Sequence, residues 1–539
     1  MSQLYQRTRA GAGRISAAGW GLAGLLVAAL ALRLWSIDHG LPLVFNSDEE
    51  EHFVRPAAEM FGGSLNPGYF DNPPALTYLF HGLFRVIEAF GGDVSGAGET
   101  AFLSGRLAVA AFGTVVVALV HWAGTRFFDR RVGLVAAALI AFSFLPVFYS
   151  KQALNDVVTL APLTVGLVGC LLVYERGRSW DWALAGGALG AAAATKYTAG
   201  AMALVVALAA LLRVVDRRGG LVPSAIGLAG AGVAFTVAFL VLHPYSVLDF
   251  ASFRDAVGDQ SGTAGGRRKL GQEDVPGPVY YLWTLTWGFG WVPALAALGG
   301  AALALRADLR RGLLLVAFPV LLLGFLSLQA RYFGRWLMPA YPALAILAAY
   351  GGVRAAEELT VRRPALRPAA VALVAAVLVA QGLVSSLRSS AVLGEEDTRA
   401  LASDWMEENV PFGSRVALEP ALPAAAFLDY ELREVMRPFD TYERRLTPEI
   451  VDRYAAEGFC WVVVGSHQKE RGLDAGLDNA RAYYRRLDEA SESTQRFSPY
   501  RAGADAPDFN FDLSFNYLPR AYGRPGPVVE VHKLRSCVP

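Results

Sequence analysis

The sequence has few charged residues and few cysteines for its length. Only 18% of its 539 residues are Asp, Glu, Lys or Arg, against about 25% in ordinary soluble domains. Its three cysteines are too few for a disulfide scaffold or a cysteine-rich metal cluster. The formal net charge of +1 gives no basic field of the kind that binds nucleic acid. No Walker motif, nucleotide-binding glycine loop or zinc-type His/Cys spacing occurs, which argues against an ATP-driven pump and a nucleotide-sugar enzyme.

Apolar residues dominate what is present. They make up 54% of the chain, and the mean hydropathy is +0.35. A single globular core stops growing at about 250–300 residues, so this composition predicts an integral membrane protein. A helix needs about 20 mostly apolar residues to cross a bilayer. Eleven segments meet this description, at 17–37, 101–122, 132–149, 156–174, 182–195, 198–213, 222–242, 278–304, 311–328, 333–352 and 366–387.

Basic residues predict the orientation of these spans, because Lys and Arg accumulate in cytoplasmic loops. Arginines cluster before the first span and in every second loop after it. The clusters are Arg7 to Arg14, Arg126 to Arg131, Arg176 and Arg178, Arg213 to Arg218, Arg306 to Arg311, and Arg354 to Arg367. The N-terminus is therefore predicted to be cytoplasmic. Only five of the 49 basic residues are lysines, a composition that is typical of a GC-rich bacterial genome. Together with the eleven spans, it predicts a multi-pass protein of the bacterial cytoplasmic (inner) membrane.

Two domains are predicted. Residues 1–387 form the transmembrane part, with a first external loop at 38–100 that carries interfacial helices and a glycine-rich external loop at 243–277 that contains the basic run Arg267-Arg268-Lys269. That second loop is either a mobile flap or a plain surface loop. Residues 388–539 are predicted as a soluble extracytoplasmic α/β domain, with helices near 397–409 and 470–488 and strands at 415–419, 460–465 and 528–534. On the oxidising side, a disulfide between Cys460 and Cys537 and two free thiols are both allowed.

The acidic run after the first span is the strongest candidate for chemistry. Asp48 is followed by three glutamates, and Asn46 and Ser47 precede it. Acids at the first turn of a helix complement its positive dipole, which by itself accounts for Glu49–Glu51. A carboxylate at a helix start near the membrane surface is also well placed to act as a base. Asp48 is therefore a candidate catalytic residue.

Several cations also lie at the predicted external ends of the spans. For any one of them, extension of the side chain to the interface is the ordinary interpretation. As a group they would surround the same outer rim of the bundle, which suits an anionic, lipid-linked ligand with its phosphate at headgroup level. The cations are Arg106, Lys151, Lys196, Arg331 and Arg335.

The sequence resembles a known family in several short motifs. It is similar to bacterial C-type (GT-C) glycosyltransferases of the protein O-mannosyltransferase and aminoarabinose-transferase superfamily. Each motif is weak alone, but their order and sidedness agree along the whole membrane part. The matching motifs are Asp48-Glu49, Tyr69-Phe70-Asp71-Asn72-Pro73-Pro74, Arg106-Leu107, Tyr149–Asp156, Thr195-Lys196, Arg331-Tyr332, Pro339-Ala340-Tyr341-Pro342 and Thr398–Glu419.

The resemblance implies a polytopic α-helical GT-C fold of about 11 transmembrane helices, with a C-terminal extracytoplasmic α/β domain. It also implies inverting transfer of a monosaccharide from a polyprenyl-phosphate donor to an acceptor hydroxyl at the external face. Asp48 matches the catalytic Asp of the family, and Glu49 matches the second acid, which would orient Asp48 or bind the acceptor.

The resemblance also suggests binding roles. The donor phosphate is assigned to Lys196, Arg331 and Arg335, with Arg106 and Lys151 behind them. Residues expected to contact the sugar, the acceptor or a metal are Tyr69, Asp71, Asn72 and Asp156. Asn72 departs from the aminoarabinose-transferase pattern, which has a Lys assigned to the lipid phosphate at this position. The resemblance fixes no cofactor, and the need for a divalent metal stays open.

The expected partners are the polyprenyl-phosphate sugar, a lipid, glycan or protein acceptor, and the bilayer, with no nucleic acid. The alternatives are a polymerase or ligase of polyprenyl-linked sugars, and a transporter or flippase for them. Transporters often carry internal repeats and broken helices near the midplane. The two halves of this chain show no repeat, and the notable charges lie at the outer rim.

Overall fold

The computed structural model describes residues 17–266, 269–272, 274–411, 413–419, 422, 435–436, 446–535 and 537. All eleven segments predicted to span the membrane are helical. Their helices are Ala17–Leu34, Glu99–Phe127, Arg130–Phe142, Leu160–Glu175, Ser179–Thr195, Ala203–Val215, Leu221–Leu242, Gly277–Thr284 followed by Trp291–Ala307, Leu309–Ser327, Tyr341–Leu359 and Arg367–Leu393. Within the described ranges, eight helical stretches are long and apolar enough to cross a membrane. The helices of the first, third and fifth predicted spans are shorter.

Small residues allow these helices to pack closely. A Cβ atom on Gly300 would lie 1.9 Å from the carbonyl oxygen of Leu347, and one on Gly190 would lie 2.2 Å from that of Phe235. Neither position tolerates a side chain, so the two backbones meet directly at each crossing, as is common between membrane helices. The polytopic helical fold predicted from hydropathy is confirmed.

The long segment after the first span folds into short helices. They are Ser47–Glu49, Glu50–Val54, Arg55–Glu59, Met60–Gly62 and Ala75–Ala89. The glycine-rich segment 243–277 differs from its prediction as a flap or plain loop, because most of it forms the helices Tyr245–Leu248 and Phe250–Gly266. Arg267 and Arg268, part of its predicted basic run, lie outside the described residues.

The C-terminal part contains a five-stranded mixed sheet. Its strands are β1 Val416–Leu418, β2 Val435–Met436, β3 Trp461–Gly465, β4 Ser491–Phe497 and β5 Val529–Leu534. Their order is β2-β1-β3-β5-β4; β1 runs parallel to β2 and β3, and β5 runs antiparallel to β3 and β4. The helices of this part are Thr398–Asn409, Pro448–Ala456, Ser466–Asp474 and Asp478–Ala490. The predicted α/β character is confirmed.

Both faces of this sheet are covered, which explains the continuous apolar run of β3. Trp461 and Val463 pack with the helix Thr398–Asn409, whereas Val462 and Val464 pack on the other face with the helices Pro448–Ala456 and Asp478–Ala490. Side chains alternate between the two faces of a strand, so each face needs its own apolar set. A disulfide joins Cys460, before β3, to Cys537, after β5, and settles the alternative that the sequence left open.

Candidate active site

Asp48 lies on the first turn of a helix that begins at Ser47. The side-chain oxygen of Asn46 accepts a hydrogen bond of 3.1 Å from the backbone N–H of Asp48, which caps the helix. The amide of the same Asn46 donates to Gln152 Oε1 over 2.8 Å. The cap therefore fixes the Asp48 backbone against the loop between the third and fourth predicted spans.

The carboxylate of Asp48 faces Arg335. Arg335 Nη2 donates to Asp48 Oδ2 over 2.7 Å, and His52 Nδ1 lies 3.9 Å from Asp48 Oδ1. Burial opposes ionisation of Asp48, but the charges of Arg335 and His52 outweigh it and lower the pKa of the carboxyl group. Asp48 keeps 31% of its side chain exposed, so an ionised carboxylate is accessible to a ligand.

Glu49 points the other way, into the protein. Arg106 Nε and Nη2 donate to its two carboxylate oxygens over 2.8 and 3.0 Å, and the backbone N–H of Ala153 donates a third bond of 2.8 Å. Arg106 also donates to the carbonyl oxygens of Ile37 and His39. Both side chains are almost fully buried. This placement gives neither residue access to a substrate, and it ties the segment after the first span to the second span.

Lys151 is likewise turned inward. Its ammonium donates to the carbonyl oxygens of Leu32, at 2.7 Å, and Trp35. These carbonyls lie at and just after the C-terminal end of the first membrane helix. Burial, with a smaller contribution from Arg33, lowers the pKa of Lys151 to about 7. The structure therefore places Lys151 as a donor to helix carbonyls and does not support the predicted contact with a donor phosphate.

Lys196 and Asp156 form an ion pair that is mostly buried. Next to it, the side chain of Asn155 donates to the carbonyl oxygen of Thr195 over 2.6 Å, which joins the two loops that carry the pair. Burial lowers the pKa of Lys196, the charge of Asp156 opposes this shift, and Arg335 is close enough to lower the pKa further. Lys196 therefore lies near the predicted site, with its charge compensated by Asp156.

One side of Asp48 is rich in cations. Lys269 lies there with Arg331 and Arg335. The sequence marked Lys269 only as part of a basic run. Burial lowers the pKa of Lys269 to about 8; the charges of Arg331 and Arg335 act in the same direction, and that of Asp48 opposes them. The Lys269 ammonium lies 5.1 Å from the centre of the Phe333 ring, and the Arg335 guanidinium lies 5.4 Å from it. Two cations thus lie within cation–π distance of the same aromatic ring.

The other side of Asp48 is polar and aromatic. The rings of His52 and Tyr69 stack with their centres 4.7 Å apart. Asn72 donates to the Tyr69 hydroxyl over 3.0 Å and lies 3.5 Å from His52 Nδ1. Burial raises the pKa of Asp71, with a further contribution from Asp259, while His52 opposes the shift. The three predicted contacts of this motif, Tyr69, Asp71 and Asn72, are therefore brought together beside Asp48.

The C-terminal part also contributes to this site, which the sequence did not predict. Asp512 accepts a hydrogen bond of 2.9 Å from the backbone N–H of Gly334, the residue before Arg335. The hydroxyl of Tyr517 lies 2.7 Å from that of Tyr149, whose ring lies 5.7 Å from the Arg335 guanidinium. Burial raises the pKa of Asp512, against the hydrogen bonds that it accepts. No sequence motif marks these residues.

A metal site is not evident in the donor groups of this region. Among the described residues, no group of three His, Cys, Asp or Glu side chains is arranged to hold a metal ion. Asp48 and Asp71 are engaged with Arg335 and His52 instead.

Comparisons with known proteins identify the fold. Residues 71–243 match the family model of dolichyl-phosphate-mannose-protein mannosyltransferases. No curated protein matches the sequence. The solved structure of apo ArnT from Cupriavidus metallidurans is similar to this chain, with 17% identity and a TM-score of 0.52. The match covers 84% of this chain and 94% of that chain. The undecaprenyl phosphate-bound form matches with 16% identity, a TM-score of 0.52 and coverage of 97% and 100%.

A second fold neighbour is the apo oligosaccharyltransferase of Archaeoglobus fulgidus, with 13% identity, a TM-score of 0.54 and coverage of 92% of this chain and 75% of that chain. At such identities, the structural matches show the fold. They confirm the predicted GT-C fold, and the family model shows a resemblance to dolichyl-phosphate-mannose-protein mannosyltransferases over residues 71–243. The matched segment 71–243 includes Arg106 and Lys196, while Asp48 and Arg335 lie outside it.

Proposed function

We propose that this protein is a membrane glycosyltransferase that transfers a monosaccharide from a polyprenyl-phosphate donor to an acceptor hydroxyl, with inversion. The fold supports a lipid-linked donor, since ArnT has the same fold and its structure is known with undecaprenyl phosphate bound. The observation that carries the proposal is the position of Asp48, an accessible carboxylate between a cationic side and a polar aromatic side.

The cationic side suits the donor phosphate. Arg331 and Arg335 lie close enough to Lys269 to lower its pKa. A phosphate at headgroup level would add negative charge next to these three cations and so favour their charged forms. The leaving group gains negative charge as the bond to the sugar breaks, so preorganised cations stabilise the transition state more than the ground state.

The polar side suits hydroxyl-bearing ligands. The stacked rings of His52 and Tyr69 offer an aromatic face, and Asn72 and Asp71 add an amide and a carboxylate beside them. Groups of this kind accept hydrogen bonds from sugar hydroxyls or donate hydrogen bonds to them. This side would hold the transferred sugar and the acceptor hydroxyl next to Asp48.

The reaction then follows from the geometry. The acceptor oxygen attacks the anomeric carbon from the face opposite the phosphate, and Asp48 takes its proton. The bond between the anomeric carbon and the phosphate oxygen breaks, and its electron pair leaves with the polyprenyl phosphate. The product is a glycosylated acceptor of inverted anomeric configuration, and Asp48 releases its proton to solvent afterwards.

The ion pair with Arg335 also determines how basic Asp48 is. In the free protein Arg335 lowers the pKa of Asp48, which makes the carboxylate a weak base. A donor phosphate would draw the Arg335 guanidinium to itself, because a phosphate offers several oxygens to a planar fork of donors. Asp48 would then lose its strongest cationic neighbour and become more basic when the donor is bound.

We further propose that the site faces the outside of the cell and that the N-terminus is cytoplasmic. The alternation of arginine-rich loops supports this orientation. The disulfide between Cys460 and Cys537 supports it independently, because disulfides persist in oxidising compartments.

The test uses the full-length protein in lipid nanodiscs with labelled polyprenyl-phosphate sugars and a membrane and cell-wall extract as acceptor source. Asp48→Asn should lower the transfer rate by about 10²–10⁴-fold, the usual contribution of a general base, while donor binding persists. Glu88→Gln, which alters an exposed carboxylate on the helix Ala75–Ala89, is the matched control. Transfer at the normal rate by Asp48→Asn would contradict the proposal. Donor-dependent translocation without transfer would favour the transporter alternative.

A further inference from the structure

A segment of the C-terminal domain is built into the membrane bundle. Residues 510–518 lead from this domain to the end of the bundle that carries Asp48. The ring of Tyr517 is buried in the main apolar cluster of the bundle, with Leu513 and Leu518 packed against the cluster. Its centre lies 4.8 Å from that of Trp287 and 5.5 Å from that of Phe148. This segment is therefore a fixed part of the bundle surface.

Asp512 is the polar centre of the segment. Its side chain is only 3% exposed. One carboxylate oxygen accepts hydrogen bonds from the Tyr280 hydroxyl and from the backbone N–H of Gly334, and the other accepts from Asn516 Nδ2 over 3.1 Å. All three partners are donors here, which a carboxylate satisfies without any proton of its own. The bonds join two elements of the bundle to one residue of the domain.

These contacts reach Arg335 from two directions. Gly334 precedes Arg335, and a Cβ atom at Gly334 would lie 2.9 Å from the Trp287 ring and 3.0 Å from Asp512 Oδ2, so the backbone has no room to shift toward them. The Tyr149 ring, on whose face the Arg335 guanidinium lies, is held at its hydroxyl by Tyr517. The segment thus fixes both the backbone before Arg335 and the ring beside its charged end.

We infer that Asp512 and Tyr517 are positioning residues for Arg335, so that the C-terminal domain sets the geometry of the catalytic ion pair. The inference rests on the proposed function for its effect on rate. Arginine has a long side chain with many rotamers, and a cation that stabilises a leaving group must be held in place before the reaction begins. The 510–518 segment supplies that constraint from outside the bundle.

The experiment compares three variants of the full-length protein in nanodiscs. Asp512→Ala removes both carboxylate oxygens, which accept the hydrogen bonds from Tyr280, Gly334 and Asn516. Asp512→Asn keeps an acceptor oxygen for Gly334 and Tyr280, and a rotation of the Asn516 amide satisfies the new donor, so this variant should restore most of the rate. Asp478→Ala alters an exposed carboxylate of the same domain and serves as the control. The Cys460–Cys537 disulfide and thermal unfolding report on folding.

Two measurements are made on each variant. Hydrogen exchange of the 333–340 segment reports directly on the backbone beside Arg335, independently of any activity. It should become faster in Asp512→Ala and stay unchanged in Asp478→Ala. The transfer rate kcat of Asp512→Ala should fall by about 10²-fold, the cost of a misplacement of about 1 Å. The acid limb of its kcat/KM profile, which reports on the free enzyme, should move to higher pH, because Arg335 no longer lowers the pKa of Asp48.

The outcomes separate this inference from the proposed function. Unchanged exchange at 333–340 in a folded Asp512→Ala variant overturns the inference, whatever happens to the rate. Faster exchange with normal transfer also overturns it as a statement about catalysis, and shows that the position of Arg335 does not limit the reaction. If no variant and no wild-type preparation transfers a sugar, faster exchange still supports the structural link while the proposed function fails.

Discussion

Arg335 donates a hydrogen bond of 2.7 Å to Asp48, a residue 287 positions earlier in the chain. Asp48 is placed by a capped helix start after the first span, and Arg335 by the short helix Gly334–Ala340. The proposed base and the proposed phosphate ligand therefore neutralise each other in this structure. A change at either residue alters the properties of the other.

Removal of the Arg335 charge should change the pH dependence of the reaction. Arg335 is the strongest influence that lowers the pKa of Asp48, and burial acts in the opposite direction. In Arg335→Gln the pKa of Asp48 should rise, so the acid limb of the kcat/KM profile should move to higher pH. The rate at neutral pH should fall by at least about 10²-fold. Arg331→Gln should weaken donor binding and leave the acid limb in place; a shift of equal size in both variants would contradict this assignment.

Lys269 should make donor binding depend on pH in the mildly alkaline range. Its pKa lies at about 8, so its charge is present below this value and lost above it. The KM for the donor should therefore rise as the pH passes 8 in the wild-type protein. Lys269→Arg should abolish this rise, since arginine stays charged, and Lys269→Ala should give a high KM throughout. Lys151→Met is the control, because Lys151 donates to carbonyls of the first helix; a similar KM increase there would contradict the site.

A buried acid in the C-terminal domain should make its stability depend on pH. Burial raises the pKa of Glu419 from 4.5 to about 8. The folded protein thus holds a proton that the unfolded chain releases, and stability falls as the pH rises from about 4.5 to 8. Glu419→Gln should raise the unfolding temperature at pH 8 by at least about 4 °C, and the gain should disappear near pH 4.5. Calorimetry of the protein in nanodiscs gives the measurement.

Glu530→Gln provides a comparison of opposite sign. The neighbouring His532 imidazole, opposed by burial and reinforced by Lys469, lowers the pKa of Glu530 to about 2. Its contribution to stability is present above the unfolded pKa and lost as the pH falls toward 2. This variant should therefore be less stable than the wild-type protein at neutral pH. Equal pH dependence in both variants would show that neither carboxyl group controls the unfolding of this domain.

The disulfide between Cys460 and Cys537 should stabilise the C-terminal domain strongly. It closes a loop of 77 residues, for which the chain-entropy model gives about 4.5 kcal/mol. The double variant Cys460→Ser, Cys537→Ser should unfold at lower denaturant concentration than the wild-type protein. Cys170→Ala, which alters the buried free thiol, is the control for loss of a cysteine. The same midpoint in the double variant and the wild-type protein would contradict the expected contribution.

Hydropathy is a local property, and this is why the membrane helices could be predicted. The helix Leu221–Leu242, for example, differs by one residue from its predicted start at 222. In the C-terminal domain, the predicted strand at 460–465 corresponds to β3, which is buried and apolar. The one predicted at 528–534 corresponds to β5, in which Val529, Val531 and Leu534 are buried. The strand β4 was missed because Ser491–Phe497 is polar and mostly exposed, so its sequence has neither an apolar run nor a clear alternation.

The site was harder to predict, because side-chain direction depends on contacts between distant segments. Asp48 and Arg335 were both identified, but the ion pair between them could not be. Arg106 and Lys151 were grouped with the phosphate ligands because a position at the external end of a span does not reveal a side chain turned inward. Lys269 had one usable signal, the scarcity of lysine in this chain.

The contact between Asp512 and Gly334 spans 178 residues, and it sets the order in which a newly made molecule becomes competent. The ribosome completes the spans and the helix Gly334–Ala340 long before residue 512 is synthesised. A nascent or truncated chain would thus hold Asp48 and Arg335 without the constraint that Asp512 and Tyr517 add. Under the proposed function, sugar transfer would reach its full rate only after the C-terminal domain has folded, and incomplete copies of the chain would use little of the lipid-linked sugar.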